Sequence, residues 1–262
     1  MHDFDYHRPS SLADAAKRLS GDAKLVAGGM TLIPTLKQRL AQPSALVDLG
    51  GIAELKGIKA DANGLTIGAM TTHAEVAHSA EVKRMIPALA VLAEGIGDPQ
   101  VRNRGTIGGS ISNNDPAADY PAGLVGLGAT VITNKRKIAA DEFFKGMFET
   151  ALQDGEIVTA VSFPKPDKAG YAKFPNPASR YAMVGVFVAK TGNGVRVAVT
   201  GAGPSVFRVA EMEKALAGSF AADAIKSVKV PAKGLNSDMH GSADYRAHLV
   251  GVMARRAVAA CG

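Results

Sequence analysis

Arg102-Asn103-Arg104-Gly105-Thr106-Ile107-Gly108-Gly109-Ser110-Ile111-Ser112-Asn113-Asn114-Asp115-Pro116-Ala117-Ala118-Asp119-Tyr120-Pro121 sets three glycines among hydroxyls and amides, with little aliphatic bulk. Paired glycines allow positive φ and close approach to another object. Successive free amides then form a nest for an anion such as phosphate. A second pair, Gly28-Gly29, stands about eighty residues earlier. The expectation is two glycine turns brought together around one phosphate-bearing ligand. Thr106 and Ser110 flank the later pair with hydroxyls, and Asn113 and Asn114 add amide donors. Asp119 is placed to turn back and accept a hydrogen bond from a ribose or an imide.

The segments around both pairs agree with this. Lys24 to Ala27 reads as a short buried strand running into Gly28-Gly29, and Thr31 opens a helix carrying Leu32, Ile33, Leu36 and Leu40. Strand, paired glycine and helix N-terminus make an anion site. The spacing is not the dinucleotide fingerprint G-x-G-x-x-G. Ser11 with Asp14, and Thr72 with Glu75, read as helix-capping pairs. Strands are expected at 45–49, 65–69, 129–133 and 157–163, and helices at 87–96 and 122–127. Residues 164–179, rich in proline, Lys, Asp and Asn, read as a linker or exposed loop that marks a domain boundary. Beyond it, strands 182–189 and 195–201 form a hairpin across Thr191-Gly192-Asn193-Gly194. Helices follow at about 207–216 and 243–260.

Composition narrows the function. The 262 residues are 47% hydrophobic, enough for a substantial core. With no Trp and 5% aromatic residues, base-stacking platforms are not expected. The single cysteine, Cys261, excludes a disulfide framework, a Cys-rich zinc site and an iron–sulfur cluster held by this chain alone. The net charge of +6 is scattered; Lys135-Arg136-Lys137 reads as a solvated turn, so no nucleic-acid partner is expected. The first residues lack the apolar core of a signal peptide, and no apolar run has the length of a membrane span, so a cytoplasmic protein is expected.

Catalytic constellations are missing. No Ser-His-Asp or Cys-His set can be assembled, and no carboxylate pair stands out as acid and base. His73 reads as a first-turn helix residue, and His240 and His248 lack a companion at metal-ligand spacing. Asp115-Pro116 reads as a turn, and Arg102 and Arg104 as surface residues of which one could face a pyrophosphate. The chain is expected to hold a cofactor that brings its own chemistry.

Ala27-Gly28-Gly29-Met30-Thr31-Leu32, Asp48, the run 102–110 and Asp115-Pro116-Ala117-Ala118-Asp119 together resemble the FAD-binding medium subunits of molybdenum hydroxylases. The likeness is to the medium chains of carbon monoxide dehydrogenase and of related aldehyde dehydrogenases. It extends from Phe4-Asp5-Tyr6-His7-Arg8-Pro9 to Gly241-Ser242-Ala243-Asp244-Tyr245-Arg246.

This resemblance implies an α+β fold. A two-lobed FAD-binding domain of the PCMH, vanillyl-alcohol-oxidase type would span 1–165, with lobes of about 1–58 and 59–165. A C-terminal three-stranded antiparallel sheet with a helical bundle would span 166–262. Carried over by position, Leu25, Val26, Ala27, Gly28, Gly29, Met30, Thr31 and Leu32 would wrap the FAD pyrophosphate with backbone amides. Thr106, Ile107, Gly108, Gly109 and Ser110 would do the same from the other side. Asp119 would bind a polar part of the cofactor, Ile157 or Val158 would line the flavin pocket, Lys173 matches a basic contact, and Tyr181 would lie near the isoalloxazine.

Ser110 stands where the family usually has Asn, and Met30-Thr31 replaces a more polar residue followed by Ser. No Cys or His lies in either glycine motif, so the FAD is expected to be non-covalent. The cysteine-bearing insertion of the hydroxybenzoyl-CoA reductase branch is absent. The implied partners are a large molybdenum-cofactor subunit and a small [2Fe–2S] subunit, in an (αβγ)2 assembly where FAD delivers electrons to an acceptor. The alternatives are a stand-alone FAD oxidase of the same superfold and a non-catalytic scaffold.

Overall fold

Residues 1–261 are described by a computed structural model. Its fold is mixed α and β. The chain opens with a parallel sheet in which Ala45–Asp48 lies between Asp5–His7 and Lys24–Val26. The Ser11 hydroxyl accepts from the Asp14 amide at the start of helix Leu12–Arg18, as its spacing predicts. Ala15 of that helix packs with Val47, Leu49, Ile52 and Leu55, and Met70 and Ile157 enter the same cluster from the next part of the chain.

That next part is built on a five-stranded antiparallel sheet. Its order is Ile58–Ala60, Gly64–Gly68, Val158–Pro164, Thr130–Thr133, Lys137–Ala139. Between the second strand and Thr130 run six short helices, from His73–His78 to Tyr120–Leu127. Thr72 and Glu75 form the expected reciprocal cap. Helix Tyr120–Leu127 is buried on all sides, which its uninterrupted apolar sequence requires.

The sequence reading is corrected in the C-terminal third. Residues 164–179 are not a linker: Lys168–Pro175 is a strand paired along its length with Ala182–Thr191. Pro164 is the last residue of Val158–Pro164 and Pro175 the last of Lys168–Pro175, strand ends where no ladder bond is lost. The sheet has four strands rather than three, because Phe207–Arg208 adds to the edge of Gly194–Thr200. The helix expected from residue 207 therefore starts at Ala210. In place of a bundle, helices Ala210–Gly218 and Ala243–Ala259 lie with the turn Ala222–Ile225 as one layer on the sheet.

Strand Ala182–Thr191 shows why the sheet is not free-standing. Val184, Val186 and Val188 pack against Val250, Met253 and Ala257 of the last helix. Phe187 and Ala189, on the opposite face, share a core with Leu89, Leu92 and Leu124. Both faces are covered, so the strand is an apolar run without alternation.

Candidate functional site

The two glycine pairs meet. A Cβ on Gly28 would run into the Arg104 carbonyl oxygen and lie 2.8 Å from the Gly105 Cα. Gly109 faces Ala27, and Gly108 packs on Ala69 so closely that a Cβ would come within 2.6 Å of the Ala69 Cβ. A cleft of about 860 Å³ opens beside this contact, within the size range of cofactor sites.

The pairs play different parts. Gly29 has φ +74°, and the amides of Gly28, Gly29, Met30 and Thr31 donate to no protein acceptor among the described residues. Gly29 and Thr31 carbonyls accept from Ile33 and Thr35 and tie this loop to helix Leu32–Lys37. A run of free amides with one residue at positive φ, on the lining of the cleft, is a backbone suited to holding an anion. Gly108 and Gly109, expected to form a second positive-φ nest, instead lie in the first turn of helix Ile107–Asn113, with Thr106 as its cap. Their amides are committed. Ile107 donates to the Thr71 carbonyl, Gly108 to the Ala69 carbonyl, Gly109 to Thr106 Oγ1 and Ser110 to the Thr106 carbonyl. These glycines supply a bare wall rather than free amides.

Of the residues singled out by sequence, Leu25, Ala27, Gly28, Gly29, Met30, Thr31, Leu32, Thr106, Gly108, Gly109, Ser110, Asp119, Ile157, Val158 and Tyr181 line the cleft. Others stand outside it, among them Asn114, whose Nδ2 donates to the Gly146 and Glu149 carbonyls. Val26 lies in the parallel sheet, opposite Asp48, and Ile107 is sealed in the core. Lys173 donates to the Gly95 carbonyl at 2.7 Å and pairs with Asp119 at 2.8 Å. Arg102 is no surface cation, because it donates to the Ile96 and Gly97 carbonyls and to Glu94. Arg104 contributes its carbonyl, against Gly28.

Asp119 is buried and already partnered. Its Oδ1 accepts from the Tyr171 hydroxyl at 2.6 Å and from Lys173 Nζ, while Oδ2 has no side-chain donor among the described residues. Burial pushes the Asp119 carboxyl up, against the downward pull of Lys173 and Tyr171. The Tyr181 ring is half exposed at the cleft, and burial with the Asp115 and Asp119 charges raises its hydroxyl pKa.

Sequence reasoning missed the rest of the lining. Leu49, Met70 and Val101 give apolar wall. The segment 153–156 forms a rim, folded by Glu156, which accepts from Arg136, Thr133 and the Gln153 amide. Arg136 holds the Glu156 carboxyl down at about 2. His73 lines the floor, 4% exposed, with Nδ1 sealed and unpartnered. Burial, then the Arg102 charge, lower its pKa to about 4, so the ring is neutral at pH 7.

A nest of four free amides facing a bare glycine wall, with apolar surface and an acceptor carboxylate further along, fits a dinucleotide that has a flat apolar end. The architecture and the cleft define a flavin-nucleotide-binding protein. The sequence matches the family model of the FAD binding domain in molybdopterin dehydrogenase over residues 2–166, and that of the CO dehydrogenase flavoprotein C-terminal domain over residues 169–261. The chain belongs to this family of FAD-binding medium subunits of molybdenum hydroxylases.

It is 36% identical to the nicotine 6-hydroxylase medium subunit of Paenarthrobacter nicotinovorans, over 98% of this chain and 96% of that one. It is likewise 36% identical to the carbon monoxide dehydrogenase medium chain of Hydrogenophaga pseudoflava, over 97% and 96%. A chain of the reconstituted CO dehydrogenase from Oligotropha carboxidovorans superimposes with a TM-score of 0.89 at 34% identity, covering 99% of this chain and 97% of that one.

Proposed function

We propose that this chain is the electron-transfer subunit of a heterotrimeric molybdenum hydroxylase. Its FAD, held without a covalent bond, would take electrons from the [2Fe–2S] clusters of a small subunit and pass them to an external acceptor. Substrate oxidation would take place at the molybdenum cofactor of a large subunit, in an (αβγ)2 assembly. The observation that carries the reading is the run of free amides at Gly28–Thr31, set opposite Gly108–Gly109 in one cleft. The medium-chain relatives support the subunit role. No helix among the described residues is long and apolar enough to cross a membrane, and a cytoplasmic location fits this.

When bound, FAD supplies a carrier that exchanges electrons in pairs or singly. The chain's own residues position it. The amides of Gly28 to Thr31 would grip the pyrophosphate, with Thr106 and Ser110 offering hydroxyl edges from the other wall. Leu25, Ala27, Met30, Leu32, Ile157 and Val158 would exclude water along the cofactor. Asp119 Oδ2 would accept from a polar edge of the flavin, and Lys173 would fix that carboxylate rather than touch the ring. Tyr181 would pack against the isoalloxazine, in the vanillyl-alcohol-oxidase type of two-lobed arrangement.

Purification of the native protein tests the subunit reading. The expected preparation contains flavin, iron and molybdenum with two further chains, and the isolated chain does not oxidise substrate. Full-rate substrate oxidation by the isolated chain would overturn the subunit reading in favour of a stand-alone oxidase.

A further inference from the structure

We propose that His73 is a direct ligand of the bound dinucleotide, its neutral imidazole donating from Nε2–H to a pyrophosphate oxygen. This rests on the reading of the cleft as the FAD site. His73 is the first residue of helix His73–His78, and its amide donates to the Gly105 carbonyl. Thr72 and Thr106 form an antiparallel bridge beside that bond. The imidazole therefore sits against the same Arg104–Gly105 backbone on which Gly28 packs, and it lines the cleft with Gly105 and Thr106. Space for it is made by Gly105: a Cβ there would lie 2.6 Å from His73 Nε2.

Among the described residues neither ring nitrogen has a protein hydrogen-bond partner; Nδ1 is sealed from solvent, whereas Nε2, in a residue that lines the cleft, is not. A sealed polar atom without a partner is costly, so Nδ1 calls for a bridging water, and Nε2 is the nitrogen left to meet a ligand in the cleft. Nδ1 is the sealed nitrogen. The ring tilts against that of Tyr120, centroids 5.4 Å apart, and the Tyr120 hydroxyl is also buried without a partner. One water between that hydroxyl and an unprotonated Nδ1 can satisfy both. The single proton of the neutral imidazole is then on Nε2, the nitrogen beside the cleft. The groups facing the ring on neighbouring elements are Arg102 and Tyr120, and burial, reinforced by the Arg102 charge, keeps the ring from becoming a cation.

The test titrates the flavin-free full chain with FAD, ADP and riboflavin. In His73→Leu, affinity for FAD and for ADP falls together by about tenfold or more, the worth of one hydrogen bond to a charged group. Riboflavin affinity is unchanged, and His73→Gln, whose amide N–H falls near the Nε2 position, restores most of the loss. FAD and ADP affinities within about twofold of wild type, or a riboflavin loss equal to that for FAD, would overturn the proposal. Imidazole 15N spectra of the wild-type chain give a second measurement that needs no variant. The proton is expected on Nε2, with a shift of that signal on adding ADP; a proton on Nδ1, or no shift, overturns the proposal. A wild-type chain that binds neither FAD nor ADP overturns the FAD site itself, whereas normal wild-type binding with an indifferent His73 overturns only the role of His73.

Discussion

Gly28→Ala is the sharpest perturbation of the cleft. The added methyl would overlap the Arg104 carbonyl oxygen and lie 2.7 Å from the Arg104 carbonyl carbon and 2.8 Å from the Gly105 Cα. These are backbone atoms of a segment pinned by the His73–Gly105 hydrogen bond and by Ile107 to Thr71, so no side chain can swing aside. Moving the Gly105 Cα out to an ordinary 3.4 Å requires the walls to part by at least about 0.6 Å, and clearing the nearer Arg104 carbonyl oxygen requires more. Overpacking of this kind costs roughly 1–3 kcal/mol. The same displacement stretches an N–H···O bond of about 2.9 Å to about 3.5 Å, where it ceases to count. Losing one charge-assisted bond to a phosphate costs about 1.5–3 kcal/mol, a tenfold to hundredfold loss of affinity. Urea unfolding and flavin titration measure the two effects. Gly218→Ala is the control, since a Cβ there meets nothing within 4 Å. Wild-type affinity and an unchanged unfolding midpoint in Gly28→Ala would refute the reasoning.

His73 makes stability depend on pH. Its folded pKa of about 4 lies below the unfolded 6.5, so below 6.5 the unfolded chain takes up a proton that the folded chain refuses. Stability therefore falls as pH drops from 6.5 towards 4, by about 3 kcal/mol, and His73→Gln removes that component. Glu156 acts in a lower window: with its folded pKa at about 2 against 4.5 unfolded, its contribution is full above 4.5 and is lost on acidification towards 2. Thermal unfolding of Glu156→Gln should lose less than wild type across that window; parallel curves would contradict the assignment. Asp119→Ala leaves Lys173 buried without its counter-charge and should cost about 3–5 kcal/mol in urea unfolding. Pairing Asp119→Leu with Lys173→Met should recover most of that loss, and a single variant as stable as wild type would show that the pair is not buried as described.

Local signals were legible in the sequence, and long-range partners were not. The caps at Ser11–Asp14 and Thr72–Glu75 appear where spacing places them, because both partners lie within one helical turn. The meeting of the two glycine pairs was also legible, since segments with so little side chain permit close approach. The use of Gly108-Gly109 was not. Their amides are taken by the Ala69 and Thr71 carbonyls, and their helix is set by the Thr106 cap, so a glycine pair that suggests positive φ lies in a helix. Prolines at residues 164–179 suggested a loop, yet Pro164 and Pro175 sit at strand ends, where the ladder tolerates them. Asp119 was recognised as a polar site residue, while Lys173 and Tyr171 reach it only through sheet packing. His73 is the first-turn residue that was expected, but its place on the cleft floor depends on a contact with Gly105.

The flavin released from the purified protein by acid precipitation tests the central claim most directly. One FAD per chain in the supernatant, with none left on the pellet, is the expected result. Absence of flavin, or flavin retained on the precipitated chain, would contradict a non-covalent dinucleotide held between Gly28–Thr31 and Gly108-Gly109.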